Sequence, residues 1–395
     1  MIIHFNTMSL TFFISNVLAS FFIGPILILG FINLIVSLIN IEIAKIIAVI
    51  LEFLLEVLIN IAKFSSKIPF SKILVTTPST FIILIYEILL FLPIILNNIK
   101  NSRNYIYKKI VFIIKKYYKK VLSLILIIIF ISKIIPLLDP KIEIYFIDVG
   151  QGDCTFIITE TNKKILIDGG GSSDSSFDIG EKVLVPYLLS HNTKTIDYII
   201  VSHFDTDHVG GLFTIMKELK VKNVIVSKQV EDSENYQKFK EIVKEKNIKV
   251  IVVGKSDILK IDKNVYFEIL WPNNSKLINE NVLNNNSIVC KLHYNNFSMF
   301  FTGDIEEIAE KQILEEYKNN LNIFNSTVLK VAHHGSKTSS IKEFIEAAKP
   351  KIALIGVGEN NKFGHPNDGV VERIESFRNK DLPYRSNGRN FYNSK

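Results

Sequence analysis

With 395 residues, 46 Lys/Arg and 39 Asp/Glu, the chain carries a formal charge of +7 and is long enough for two or three domains. The excess is confined to one part: residues 1–140 hold 13 basic against 5 acidic side chains (+8), and residues 141–395 hold 33 against 34 (−1). That split excludes a uniformly basic nucleic-acid-binding chain and fits charge flanking membrane segments. Two cysteines, Cys154 and Cys290, exclude a disulfide framework; each lies in an apolar run ("CTFII", "SIVCKL") and reads as a buried strand residue.

Apolar runs dominate residues 1–140: "LTFFISNVLASFFIGPILILGFINLIVSLI" (10–39), "AKIIAVILEFLLEVLINIA" (44–62), "TFIILIYEILLFLPIIL" (80–96) and "VLSLILIIIFISKIIPLL" (121–138). Each reaches or approaches the roughly 17–25 residues that span hydrocarbon. The first is too long for one untilted span and carries Gly24-Pro25, which predicts a kinked helix or two short ones. No compact basic region and small-residue cleavage site frame a short apolar core, so the pattern is not that of a signal peptide. Glu52, Glu56 and Glu87 interrupt the runs. They predict a polar path within a larger bundle or, for Glu52/Glu56 at i, i+4, a helix lying at the interface. The loop 99–120 holds Lys100, Arg103, Lys108, Lys109, Lys115, Lys116, Lys119 and Lys120 and is cytoplasmic by the positive-inside rule. The run 121–138 then delivers the rest to the outer face of the cell membrane, and the chain is a multi-pass membrane protein.

From residue 141 the pattern changes to short β-rich runs between Gly/Asp turns. "KIEIYFIDVGQGDCTFII" reads as strand, loop, strand; "KKILIDGGG" and "IDYIIVSH" read as strands. Helices are predicted near 208–220, 234–247, 306–320 and 341–348, with "NVIVS", "KVIVV", "FEILW", "SIVCKLHY", "FSMFFTGD", "STVLKVAHH" and "KIALIGVG" as strands between them. This alternation predicts a layered α/β domain.

Residues able to hold a metal sit at the strand ends. Asp168 closes one strand; His203, Asp205, Asp207 and His208 follow the next in "VSHFDTDHVGG"; Asp304 ends "FFTGD"; His333-His334 end "VLKVAHH". Strands that finish on one edge bring such residues to a common rim. An HxDxDH stretch alone would equally suit a capped turn, and it is the series that points to imidazole and carboxylate ligands of divalent ions.

The order "LIDGG", "SHFDTDHVGG", "FFTGD", "HHGS" resembles the metallo-β-lactamase superfamily, whose fold is an αββα sandwich with a metal site on its rim. More narrowly, "FIDVGQGDCTFI" (146–157), "NNNSIVCKL" (284–292), "AHHGSKTSS" (332–340) and "VGENNKFGHP" (357–366) resemble the C-terminal domain of ComEC-type DNA-internalisation proteins. "FNTMSLTFFISNVLASFFIGPILILG" is similar to the late part of that family's competence transmembrane domain. The resemblance implies a helical transmembrane segment (1–140, a partial competence-type domain) followed by an α/β metallo-β-lactamase-type sandwich (141–395). Full-length members carry more transmembrane helices and an N-terminal soluble domain. A fragment, a split gene product and a truncated paralogue are the open readings, and other competence proteins or a chain supplying the missing helices are expected partners.

Carried over from the superfamily's two-metal site, His203, Asp205 and Asp304 serve the first ion. Asp207, His208, the bridging Asp304 and His333 serve the second. A further superfamily His has His293 as its sole positional candidate; that residue lies in an alternating strand and reads as a structural or surface residue, so Asn286, Ser287 or a water stands in. Asp168 orients a metal-bound His from behind. His334 and His365 steady a phosphate or protonate the leaving oxygen, although His365 equally suits a loop cap against Pro366. Gln151 and Asp153 in "GQGD" belong to the rim or to a tight turn. Two cations about 3.5–4 Å apart can hold a bridging hydroxide and offset the charge of a phosphorane. Asp205 replaces the second His of the commoner HxHxDH, and a harder carboxylate tilts selectivity towards Mn²⁺, with Zn²⁺ also possible. The expected activity is a membrane-anchored, metal-dependent phosphodiesterase or nuclease acting on single- or double-stranded DNA during uptake, with Asp207, His334 and His365 in the chemistry. Lys330, Lys337 and Lys342 form the local basic patch such binding needs. A small-substrate phosphoester hydrolase and a non-catalytic DNA-channel component remain the alternatives.

Overall fold

A computed structural model describes residues 6–101, 141–172, 177–228, 232–359 and 361–377, with scattered residues between 109 and 131. The chain divides into two compact units, Met1–Ile95 with Leu189–Asn192, and Leu96–Leu188 with Thr193–Lys395.

The first unit runs β1 (Thr7–Met8), α1 (Phe12–Ile39), α2 (Ile41–Lys67), β2 (Ile73–Leu74) and most of α3 (Thr80–Asn101). β1 and β2 pair antiparallel, and α1 lies against α2. The turn between these helices is set by Asn40, whose side-chain oxygen accepts from the amides of Glu42 (2.9 Å) and Ile43 (3.3 Å) and so starts α2. Among the described residues α1 is the one helix long and apolar enough to cross a membrane, with 28 residues and a mean hydropathy of 2.5. It runs unbroken through Gly24-Pro25: Pro25 withholds one amide, and one missing bond in 28 residues does not split the helix in two. α2 is as long, but Glu42, Lys45, Glu52, Glu56, Lys63 and Lys67 interrupt its apolar sequence, and Glu52 and Glu56 are exposed. Most of the basic loop 99–120 and half of the run 121–138 lie outside the described residues.

The second unit holds two six-stranded mixed sheets. One is ordered β3 (Glu143–Phe146), β4 (Thr155–Ile158), β5 (Lys164–Ile167), β6 (Thr195–Ile200), β7 (Lys220–Ser227) and β8 (Lys249–Val253). The other contains β9 (Ile258–Lys260), β10 (Val265–Trp271), β11 (Val289–Tyr294), β12 (Phe297–Phe301), β13 (Val328–Lys330) and β14 (Ile352–Leu354), also in spatial order. In the first sheet β5, β6, β7 and β8 are parallel neighbours while β4 runs against β5; in the second β12, β13 and β14 are parallel. Ile157, Ile165, Ile200 and Ile225 of the first sheet pack against Phe267, Ile269, Leu292 and Met299 of the second. Burying these side chains removes about 1.5–3 kcal/mol of apolar exposure each.

Helices cover the outer faces. α4 (Thr206–Glu218) buries Leu212, Ile215 and Met216 and lies against β7, with α5 (Glu234–Glu245) beside it. α6 (Glu307–Glu316) and α7 (Lys342–Ala348) bring Ala309, Ile313 and Phe344 onto Leu270, Phe300 and Leu329 of the second sheet. α8 (Asp368–Ser376) follows, started by Asn367, whose side chain accepts from Gly369 N. The layers are therefore helix, sheet, sheet, helix, as the sequence predicts. Cys154 and Cys290 are buried and unpaired. Trp271 closes β10 fully buried, its indole N–H donating to the Asn285 carbonyl at 2.7 Å.

Strand direction positions the site. The ends of β5 and β6 and the start of the antiparallel β4 share one edge. The ends of β12, β13 and β14 share the edge of the facing sheet. Ile288 N donates to Ser202 O at 2.8 Å and ties the two edges together.

Candidate metal centre

The turn after β5 fixes the first piece. Asp168 donates its amide to Ile200 O (2.9 Å) and accepts Ser202 N on Oδ1 (2.8 Å); its Oδ2 lies 3.0 Å from His208 Nδ1. Engaging Nδ1 leaves His208 Nε2 for the rim. Asp205 precedes α4, and Asp207 and His208 occupy its first turn. Gly152 adopts φ +127°, and a Cβ there would overlap the Asp207 carbonyl; the "GQGD" turn needs glycine to press against the start of α4.

After β13, His333 and His334 adopt φ of +48° and +52°. Left-handed conformations cost non-glycine residues on the order of 1 kcal/mol or more each. The turn sends the two rings to different places. His334 is buried: Nδ1 donates to Gly356 O at 2.7 Å, so Nε2 is free to face inward. His333 stays on the rim with its Nδ1 3.4 Å from Glu306 Oε1.

Asp153, His208, Asp304 and His334 are all buried and each offers a ligand atom within 4.8 Å of the others. His208 Nε2 lies 3.2 Å from Asp304 Oδ1 and 3.3 Å from His334 Nε2. His334 Nε2 lies 3.4 Å from Asp304 Oδ2 and 3.3 Å from Asp207 Oδ2. Beside them His203 Nε2 is 3.5 Å from Asp205 Oδ2, and its ring packs 4.2 Å from that of His208. Two of these atoms, His203 Nε2 and Asp304 Oδ1, are buried close to an opposite partner yet make no hydrogen bond. Donors that approach without pairing converge on a shared point. An imidazole and carboxylate set of this kind fits divalent cations.

Charge leads to the same conclusion. Burial alone would lower the pKa of His208, but Asp304 and Asp168 outweigh it and raise it well above the usual range. Burial likewise opposes a charged His334, and Asp304 and Asp153 raise it. Burial would raise Asp304, yet His208 and His334 hold it well below the usual carboxylate range. Asp207 is held at about 2, its burial overcome by the His334 hydrogen bond and the His208 charge. Protons on the imidazoles thus play the part of a cation that the carboxylates demand.

His203, Asp205, Asp207, His208 and Asp304 come together as the sequence suggests. The adjacent histidines exchange places: His333 Nε2 is 4.0 Å from Asp304 Oδ2, while His334 takes the inner position. Asn286 turns away, its amide bonded to Ile278 N and O and to Val282 O. Ser287 Oγ lies 3.4 Å from the Asp304 amide. His365 stands outside the group, its ring 5.9 Å from that of His333. His293 pairs with Glu268 (3.1 Å) and stacks on Tyr266, a structural arrangement. Lys330 is buried with Nζ 2.6 Å from Asp153 Oδ2, so it cannot serve an exposed basic patch; Lys342 lies 3.9 Å from Glu346, and Lys337 is exposed. Glu306 stands out only in the structure, and Asp153, which the sequence left between the rim and a tight turn, lies in the cluster. The signal for Asp153 was strand direction: the residue before an antiparallel β4 shares the edge of the residue after β5.

Residues 147–359 match the metallo-beta-lactamase superfamily. The chain belongs to that superfamily. Residues 1–99 match the competence protein family. ComE operon protein 3 of Bacillus subtilis is 32% identical over 272 residues, covering 66% of this chain and 34% of that protein. Competence protein ComA of Neisseria gonorrhoeae is 27% identical over 229 residues, 58% of this chain and 29% of that protein. The chain thus spans about a third of the length of these curated relatives. Among solved structures, CmlA, a diiron beta-hydroxylase from Streptomyces venezuelae, matches at 14% identity and a TM-score of 0.38, covering 60% of this chain and 52% of that one. Zn(2+)-bound PqqB from Methylobacterium extorquens matches at 8% identity and a TM-score of 0.30, covering 57% and 81%.

Proposed function

We propose that the chain is a membrane-anchored, metal-dependent phosphodiesterase that cleaves DNA during uptake, with its second unit on the outer face of the cell membrane. The observation that carries the reading is the buried convergence of Asp153, His208, Asp304 and His334, with the part-buried Asp207 3.3 Å from His334 Nε2 and Asp304 Oδ1 left without a hydrogen bond. The competence match over residues 1–99 supports DNA as the substrate.

Two divalent cations bound here would supply Lewis-acid charge to a phosphodiester and lower the pKa of an attacking water. His203, Asp205 and Asp304 would hold one, and Asp207, His208, Asp304 and His334 the other. Asp168 fixes the His208 tautomer, and Gly356 O fixes that of His334. His333, on the rim with Glu306 behind it, is the group available to give a proton to the leaving oxygen. His365 lies beside it. Asp205 favours Mn²⁺ over Zn²⁺.

The test uses the full chain in detergent, on single- and double-stranded DNA and on a small chromogenic phosphodiester. Mn²⁺ should give the fastest DNA cleavage, and Asp207→Ala should abolish it. Equal or faster rates with Zn²⁺ alone would overturn the metal preference. Turnover of the small ester alone would favour a small phosphoester hydrolase, and binding without cleavage a channel component.

A further inference from the structure

Residues 357–359 and 361–366 pass beside the rim, and their shape is set by one side chain. Asn361 Oδ1 accepts the amides of Phe363 (3.1 Å) and His365 (3.1 Å), and its Nδ2 donates to the carbonyls of Gly358 (3.1 Å) and His365 (2.6 Å). Gly358 N is anchored on Gln151 Oε1 at 3.1 Å, and Asn367 N on Gly335 O at 2.9 Å, next to the His333-His334 turn. Within this braced segment Phe363 is 67% exposed. Its ring lies 5.9 Å from His365 and nearly parallel to it, at 16°; His365 in turn lies 5.9 Å from His333.

An isolated exposed Phe needs no explanation. Here four hydrogen bonds from Asn361 hold the segment in a conformation that leaves a large apolar ring in water, two ring steps from the metal centre. Its flanking Lys362, and Lys337 on the "HHGSK" turn, are exposed and make no ion pair among the described residues.

We propose that Phe363 is a stacking platform for a nucleobase of a single strand whose phosphodiester lies at the metal centre. This rests on the phosphodiesterase reading and adds how the strand is held. Every base has a π-face, so stacking on a phenyl ring contributes affinity without sequence preference. The base extends the existing Phe363–His365 stack, and Lys337 and Lys362 act on neighbouring phosphates as point charges. A base inside a duplex has both faces covered by its stacked neighbours, so the platform selects single strands or frayed ends.

Binding is read on the full chain in detergent with EDTA, by anisotropy of fluorescein-labelled oligo(dT) and of an abasic strand of equal length and charge. Phe363→Ala should weaken oligo(dT) binding on the order of tenfold and leave the abasic strand bound as by the parent. Phe363→Trp should bind oligo(dT) at least as tightly as the parent. Equal affinity of Phe363→Ala and parent for oligo(dT), or an equal loss on the abasic strand, overturns the platform. Failure of the phosphodiesterase reading is seen separately, as absence of Asp207-dependent cleavage by the parent chain.

Discussion

At His333 and His334 two successive left-handed residues send adjacent imidazoles to different partners, one to Glu306 on the rim and one to His208, Asp207 and Asp304 inside. Their substitution should therefore separate binding from chemistry. His334→Ala should lower the metal content of the purified protein, measured by elemental analysis. His333→Ala should keep the metal and lose about 10²-fold in turnover. Retained metal in His334→Ala, or metal lost in His333→Ala, would reverse the two assignments. The candidate ligand types were legible because "HFDTDH", "TGD" and "HH" lie in short runs at strand ends. Which of two neighbouring histidines turns inward was not, because backbone φ in a turn decides it. Asp153 was obscured for another reason: its place depends on pairing with β5, and a turn containing two glycines explains the same letters.

Between elements, Glu310 of α6 is the clearest joint. It is fully buried and its carboxylate oxygens accept the amides of Ser340 (2.7 Å) and Ile341 (2.8 Å), immediately before α7. Burial raises its pKa to about 8, against those amides and Arg373, which lower it. Below its ordinary 4.5 the group is protonated whether the chain is folded or not. Between 4.5 and about 8 only the folded chain keeps the proton, so this contribution to stability is full at low pH and is lost as pH rises through the window. Glu310→Gln cannot ionise. Denaturant unfolding across that window should show a slope shallower by about 1.4 kcal/mol per pH unit than the parent's; parallel slopes would refute the burial argument. Most helices and strands lie where periodicity put them. β9, with three residues, is too short to carry a period. α8 begins at a capping Asn367 within "HPNDGVVERI", where the turn residues mask the start.

Across the whole molecule, charge and apolar length divide the chain into an N-terminal part of +8 and a remainder of −1. If the basic loop 99–120 faces the cytoplasm, protease added to intact protoplasts should remove the sheet-bearing unit; full protection would place that unit inside. The α/β layering was readable from alternation, because each strand has one face or two to bury. The membrane part was less so: α1 and α2 have similar length, and it is six charged side chains in α2 that leave α1 alone among the described residues in meeting the length and composition of a span. Trp271 adds a practical consequence. It is the sole tryptophan in 395 residues, sealed at the end of β10 with its indole bonded to Asn285. Its emission reports one unit and is blind to the apolar helices. A red shift therefore dates the moment the paired sheets open, even where the rest of the chain stays in detergent or lipid, so the two halves can be unfolded together and timed apart.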